Sequence, residues 1–114
     1  MENLEIQRKT AGQSTVLQLN GPLTLATLFD FQKAVREPGA GDTIIDVSGV
    51  PYIDSAGLGV ILAHWSHTQR NNQKFAMVGV NDRVKVLLEI TKVNSILPVF
   101  LTIEDAERRF SAGA

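Results

Sequence analysis

Asp42–Trp65 reads DTIIDVSGVPYIDSAGLGVILAHW, and its two halves keep different periods. Thr43 to Val47 is short, apolar and β-branched, the composition of a buried strand. Leu58, Ile61, Leu62 and Trp65 recur at helical spacing, so a helix follows. The loop between them, Ser48 to Ile53, runs into Asp54-Ser55-Ala56-Gly57-Leu58-Gly59. A helix that opens on Asp54 and Ser55 after a buried strand presents a hydroxyl at its N-terminus. The functional reading turns on that serine.

The flanks supply the rest of a layered fold. Leu4 and Ile6 alternate with polar neighbours, Thr10 to Ser14 (TAGQS) has the composition of a turn, and alternation resumes from Thr15 to Asn20. That pattern predicts a hairpin, closed off by Gly21-Pro22. Thr24 or a neighbour can cap a helix running to about Arg36, with Leu25, Leu28, Phe29, Gln32 and Val35 as its stripe and Glu37-Pro38-Gly39-Ala40-Gly41 as its stop. Beyond the central helix, which Asn71-Asn72-Gln73 ends near Arg70, Lys74 to Val80 reads as another interior strand. Asn81-Asp82 caps a helix from Arg83 to about Thr91 with Val84, Leu87 and Leu88 facing inward. Ile96 to Phe100 contains Pro98, which places that strand at an edge. Thr102-Ile103-Glu104-Asp105 opens a last helix in the manner of a capping box, and the SAGA tail is expected to fray. The order is β-β-α-β-α-β-α-β-α: one α/β domain over residues 1–114, with a mostly parallel, mixed sheet that carries an N-terminal hairpin and helices packed on it.

Composition narrows the chemistry. At 114 residues with 44% hydrophobic and 20% charged side chains, the chain is long enough for a core and too apolar for disorder. A net charge of −1 offers no basic field for nucleic acid or anionic lipid. With no cysteine, thiolate catalysis, disulfides and cysteine metal sites are excluded. The start MENLEIQRKT lacks the apolar core of a signal peptide, and no apolar run approaches the roughly 18 residues of a membrane span, so a cytoplasmic protein is expected.

Asp54 as N-cap accepts from the free N–H groups of the first turn and leaves Ser55 at the first helical position. Gly57 and Gly59 each cost about 1 kcal/mol against alanine there, which a helix tolerates where something approaches its backbone closely. That neighbour is either another element of the same chain or a partner. A hydrolase is disfavoured: His64 and His67 lie roughly 13–18 Å along the helix from Ser55, and the stretch lacks a G-x-S-x-G elbow. His64-Trp65-Ser66-His67 has metal-ligand spacing without an evident third ligand, so two partly exposed histidines on the polar side of the helix are expected, with Trp65 in the core. Asp46 is expected to hydrogen-bond the loop that follows its strand. Val86 and Ile90 fall off their helix's stripe, as ordinary surface apolars or as a patch with Leu58 and Val60.

From Ile44 to Leu62, IIDVSGVPYIDSAGLGVIL resembles the signature of STAS domains, specifically bacterial anti-sigma factor antagonists. The resemblance implies a non-enzymatic binding protein without a cofactor of its own. Ser55 would be phosphorylated by an ATP-dependent serine kinase that doubles as the anti-sigma factor, and a serine phosphatase would reset it. The unmodified protein would capture the kinase and the phosphorylated one release it. Asp54, Ala56, Gly57, Leu58 and Gly59 would form the partner surface, with Thr24 at its edge. One departure stands out: where the family often has glycine–acid–apolar–aspartate, this chain has Gly21-Pro22-Leu23-Thr24, without either acid. The alternative from the same resemblance is a STAS subunit of a transport-associated or ligand-binding complex that works without a phospho-switch.

Overall fold

The computed structural model describes residues 3–36 and 41–112. Strands β1 (Glu5–Ala11) and β2 (Ser14–Asn20) pair antiparallel, from Glu5 opposite Asn20 to Ala11 opposite Ser14. Only Gly12 and Gln13 lie between them, and Gly12 has φ +60°. Glycine at the first central position suits a two-residue turn that must match the twist of its strands. The turn is tighter than TAGQS implied, because Thr10, Ala11 and Ser14 join the ladder.

After α1 (Leu28–Arg36) come β3 (Thr43–Gly49), α2 (Ser55–Arg70), β4 (Phe75–Val78) and α3 (Asp82–Ile90). A 3-10 turn at Val93–Ser95, β5 (Val99–Phe100) and α4 (Ile103–Ala112) complete the order that the sequence implied. The strands lie in the order β1-β2-β3-β4-β5, and β2 to β5 run parallel. Each helical crossover therefore advances the chain by one strand in one direction. Right-handed crossovers then put α1, α2 and α3 on a single face. The last helix, α4, is left for the other.

The cores follow that division. Leu17, Ile45, Val47 and Met77 pack with Phe31, Leu58, Ile61, Val84 and Leu88 beneath the three crossover helices. Val16, Ile44, Ala76 and Val78 meet Ala106 and Phe110 of α4. Alternate residues of β3 and β4 thus serve opposite cores, which is why both strands read as unbroken apolar runs.

The helix ends at α2, α3 and α4 match their signals. The Asn81 side chain accepts from the Val84 N–H at 2.8 Å, and the Thr102 hydroxyl from the Asp105 N–H at 3.0 Å. α2 stops at Asn71-Asn72-Gln73: Asn72 takes φ 54°, and the Gln73 N–H reaches back to the Thr68 carbonyl at 2.8 Å. That is a Schellman closure with asparagine in the left-handed position. β5 is a two-residue edge strand, shorter than Ile96 to Phe100, and the Pro98 carbonyl still accepts from the Met77 N–H. Ser111 and Ala112 belong to α4 rather than to a frayed tail. The stop at Glu37–Ala40 and residues 113–114 lie outside the described residues.

The stripe expected on α1 is corrected. Leu28 is buried and Val35 packs against the core as expected, Phe31 is buried with them, and Leu25 and Phe29 are instead 66% and 69% exposed. The cause is the turn that precedes the helix. The Thr27 hydroxyl donates to the Pro22 carbonyl at 2.7 Å and accepts from the Thr24 N–H at 2.9 Å. This tight turn sets the phase at which α-helix begins, at Leu28, and so rotates Leu25 and Phe29 outward.

Candidate functional site

The loop that carries Ser55 is fixed before the helix begins. Val50 N–H closes on the Val47 carbonyl at 2.9 Å, and the Asn81 side-chain amide donates to the Val50 carbonyl at 2.9 Å. The Arg83 guanidinium lies 4.9 Å from the centroid of the Tyr52 ring. Leu23 and Ile53 form a parallel bridge in which the Leu23 N–H donates to the Tyr52 carbonyl and the Asp54 N–H to the Leu23 carbonyl, each at 3.2 Å. The segment after β2 is thereby tied to the segment after β3. Both sit at the carboxyl ends of parallel strands, where open α/β sheets place their sites.

Asp54 joins the start of α2 to the turn before α1. Its Oδ1 accepts from the Gly57 N–H at 2.8 Å, the N-cap bond of α2, and its Oδ2 accepts from the Leu25 N–H at 3.0 Å. Residues 24–28 are the turn that leads into α1, where the Thr24 hydroxyl also takes the Ala26 N–H at 3.2 Å. One carboxylate therefore caps the N-terminus of α2 and ties the turn that precedes α1 to it. Ser55, next in the chain, is the first residue of α2 and is exposed.

The other residues singled out by the sequence divide by burial. Gly59 is exposed, and Asp54 and Ala56 are half-buried. Thr24, Gly57 and Leu58 are buried within the chain. The two glycines have different reasons. A Cβ on Gly57 would stand 2.3 Å from the Leu23 carbonyl oxygen, so this glycine lets α2 press on the Leu23 segment. A Cβ on Gly59 would meet nothing within 4 Å. Leu25 joins the site although its sequence context gave no sign of it. Its amide is held by Asp54, 29 residues away, and its side chain stays exposed.

The helix histidines are corrected. His67 is exposed, but His64 is 5% exposed, with Nε2 3.2 Å from the Thr43 hydroxyl and its ring edge-on to Phe75 at 5.9 Å. Burial, and then the neighbouring His67, lower its pKa from 6.5 to about 4, so it is neutral at physiological pH. Trp65 is half-buried against the main core. Among the described residues no three His, Cys, Asp or Glu side chains gather to hold a metal. Asp46 is buried and accepts from the Ser48 N–H at 3.0 Å, a contact within β3 rather than with the loop expected, because β3 extends to Gly49. Val86 and Ile90 are exposed, but Leu58 and Val60 are buried, so the four form no common patch.

A family profile for the STAS domain matches residues 5–106, and the chain belongs to that family. Its relatives include the anti-sigma-B factor antagonist of Staphylococcus aureus, 27% identical over 100 residues that cover 85% of this chain and 93% of that protein. Among solved structures, a Thermotoga maritima protein assigned as an anti-sigma factor antagonist superposes with a TM-score of 0.86 at 26% identity. That match covers 91% of this chain and 92% of the other. An anti-sigma factor antagonist from Mycobacterium paratuberculosis shares the fold at a TM-score of 0.81 and 19% identity, over 92% of each chain.

Proposed function

We propose that this protein is an anti-sigma factor antagonist whose capture of an anti-sigma serine kinase is switched off by phosphorylation of Ser55. The observation that carries the reading is the placement of Ser55: exposed, first in a 16-residue helix, and beside a carboxylate tied to that helix and to the turn before α1. A hydroxyl held on such a frame can be met in one orientation by a second protein. The relatives bearing anti-sigma factor antagonist names support the same role.

The contact surface consists of Ser55, Gly59 one turn on, the half-exposed Asp54 and Ala56, and the exposed Leu25 beside Asp54. Thr24, Gly57 and Leu58 shape that surface from beneath. Phosphorylation adds roughly −1.5 to −2 charges at its centre. Within the free protein the dianion sits at the N-terminus of α2, worth about 0.3–1 kcal/mol in its favour, against repulsion from Asp54. Within a complex the same charge loses its water, and a penalty of about 2.8 kcal/mol already weakens binding a hundredfold. Release thus follows from desolvation and needs no refolding. ATP belongs to the kinase, and a serine phosphatase restores the binding form.

The test is intact mass after incubation with ATP and an anti-sigma serine kinase. One added phosphate, mapped to Ser55 and abolished by Ser55→Ala, is the expected result. A kinase active on another substrate that leaves this chain unmodified overturns the switch and moves the assignment to a STAS subunit that binds constitutively.

A further inference from the structure

At the opposite end of the domain from Ser55 lies a cavity of about 470 Å³. α2 is 16 residues long, so about 24 Å of helix separates the two ends. The C-terminal end of α2 and the residues after it supply Gln69, Gln73 and Lys74; β4 and β5 supply Phe75 and Phe100. Pro98, Arg109 and Phe110 close the lining.

The lining is biased in charge and in shape. The chain has 12 acids against 11 lysines and arginines, yet this cavity is bordered by two cations and no carboxylate. Lys74 is anchored, since its ammonium donates to the Phe110 carbonyl. That leaves the ammonium two further donors. The Arg109 side chain is exposed and has no ion pair among the described residues. Phe100 and Phe110, with Pro98, give an apolar floor, Phe75 borders it from the core on the other face of the sheet, and two glutamine amides add neutral donors. A few convergent polar groups over an apolar floor, in a cavity of several hundred Å³, is how small-molecule sites are built.

We propose that this cavity binds a small aromatic carboxylate, one or two fused rings in size. The ring lies against the phenylalanines, and the carboxylate meets Arg109, whose planar fork matches two oxygens, and Lys74. Acetate lacks the ring, and a neutral ring alcohol lacks the charge that the two cations select.

The probe is 2-naphthoate, titrated into the full chain by calorimetry and followed by amide chemical shifts, with 2-naphthalenemethanol and acetate as comparisons. The expected Kd is of the order of 0.1–1 mM, the range open to a ligand of this size in an open site. Binding of the alcohol should be at least about tenfold weaker. Arg109→Gln alters an exposed side chain and should weaken naphthoate about tenfold. Gln73→Glu adds a like charge to the lining, while the backbone that closes α2 is untouched, and should abolish measurable binding. Perturbed amides should cluster at residues 69–75 and 98–110, and Ser55→Ala should bind naphthoate as the parent does. Equal affinity for acid and alcohol overturns the proposal. So do unchanged binding by both cavity variants, shifts confined to other regions, or the absence of heat and shifts up to roughly 5 mM.

Discussion

Asp54 does more than its place beside a phosphoacceptor requires. Its two oxygens hold the Gly57 and Leu25 amides, so removal frees donors at the start of α2 and in the turn before α1 together. Asp54→Ala should cost about 1–2 kcal/mol, the upper part of the range for a lost cap, read as a lower urea midpoint. Asp54→Asn keeps one side-chain oxygen and should fall between. If alanine and asparagine prove equal to the parent, the double tie contributes nothing to stability. Ser55→Asp tests charge without moving the frame. The partner's affinity should fall at least about tenfold, while Tm stays within a few degrees, because the new carboxylate is solvated in the free protein. Equal affinity for both forms would sink the switch. Asp54 and Ser55 were legible because an N-cap is written in adjacent residues. Leu25 was not, since the bond that recruits it joins two distant loops and leaves no local pattern.

Between elements, the two glycines of α2 look alike in sequence and differ in what surrounds them. Gly57→Ala would push a methyl to 2.3 Å from the Leu23 carbonyl oxygen, which is backbone and part of the Leu23–Ile53 bridge. The helix would have to move off that segment, a strain of about 1–3 kcal/mol that exceeds the gain in helix propensity. Gly59→Ala meets open space and should gain about 0.8–1 kcal/mol of stability. Its effect on partner affinity separates stability from binding: a more stable protein that binds less well marks Gly59 as a point of close approach, and unchanged affinity removes it from the contact surface. Denaturant midpoints and a binding titration on the two variants supply both readings. The same contrast holds on α1. Apolar spacing alone fits a stripe through Leu25, Leu28 and Phe29. The Thr27–Pro22 bond fixes the helix phase from outside the periodic segment, and it turns Leu28 and Phe31 inward instead.

For the whole molecule, the fold was legible because its topology follows from the order of elements and one rule of handedness: three successive crossovers in one direction place three helices on one face. What the order could not show is how β3 meets α2, and there the domain keeps a buried titratable group. His64 lies between Thr43 of β3 and Phe75 of β4, with His67 stacked at 6.2 Å on the solvent side. The Thr43 hydroxyl donates to the Gly41 carbonyl at 3.0 Å and lies 3.2 Å from Nε2 of the neutral imidazole. In the unfolded chain His64 takes up a proton near pH 6.5; in the folded one it does so only near about 4. Between those values the unfolded state holds the extra proton, so stability rises with pH across that window. The contribution is present in full above 6.5 and is lost as pH falls toward 4. It amounts to about 3 kcal/mol. Carboxylates titrate over part of the same range, so the measurement is the difference between the parent and His64→Gln, which keeps a hydrogen-bonding group toward Thr43 and carries no titrating charge. Urea midpoints at about pH 7.5 and about pH 4.5 should show the parent losing about 2–3 kcal/mol more than the variant. Parallel losses would mean that His64 is hydrated in solution and that its helix does not seal the β3–β4 face.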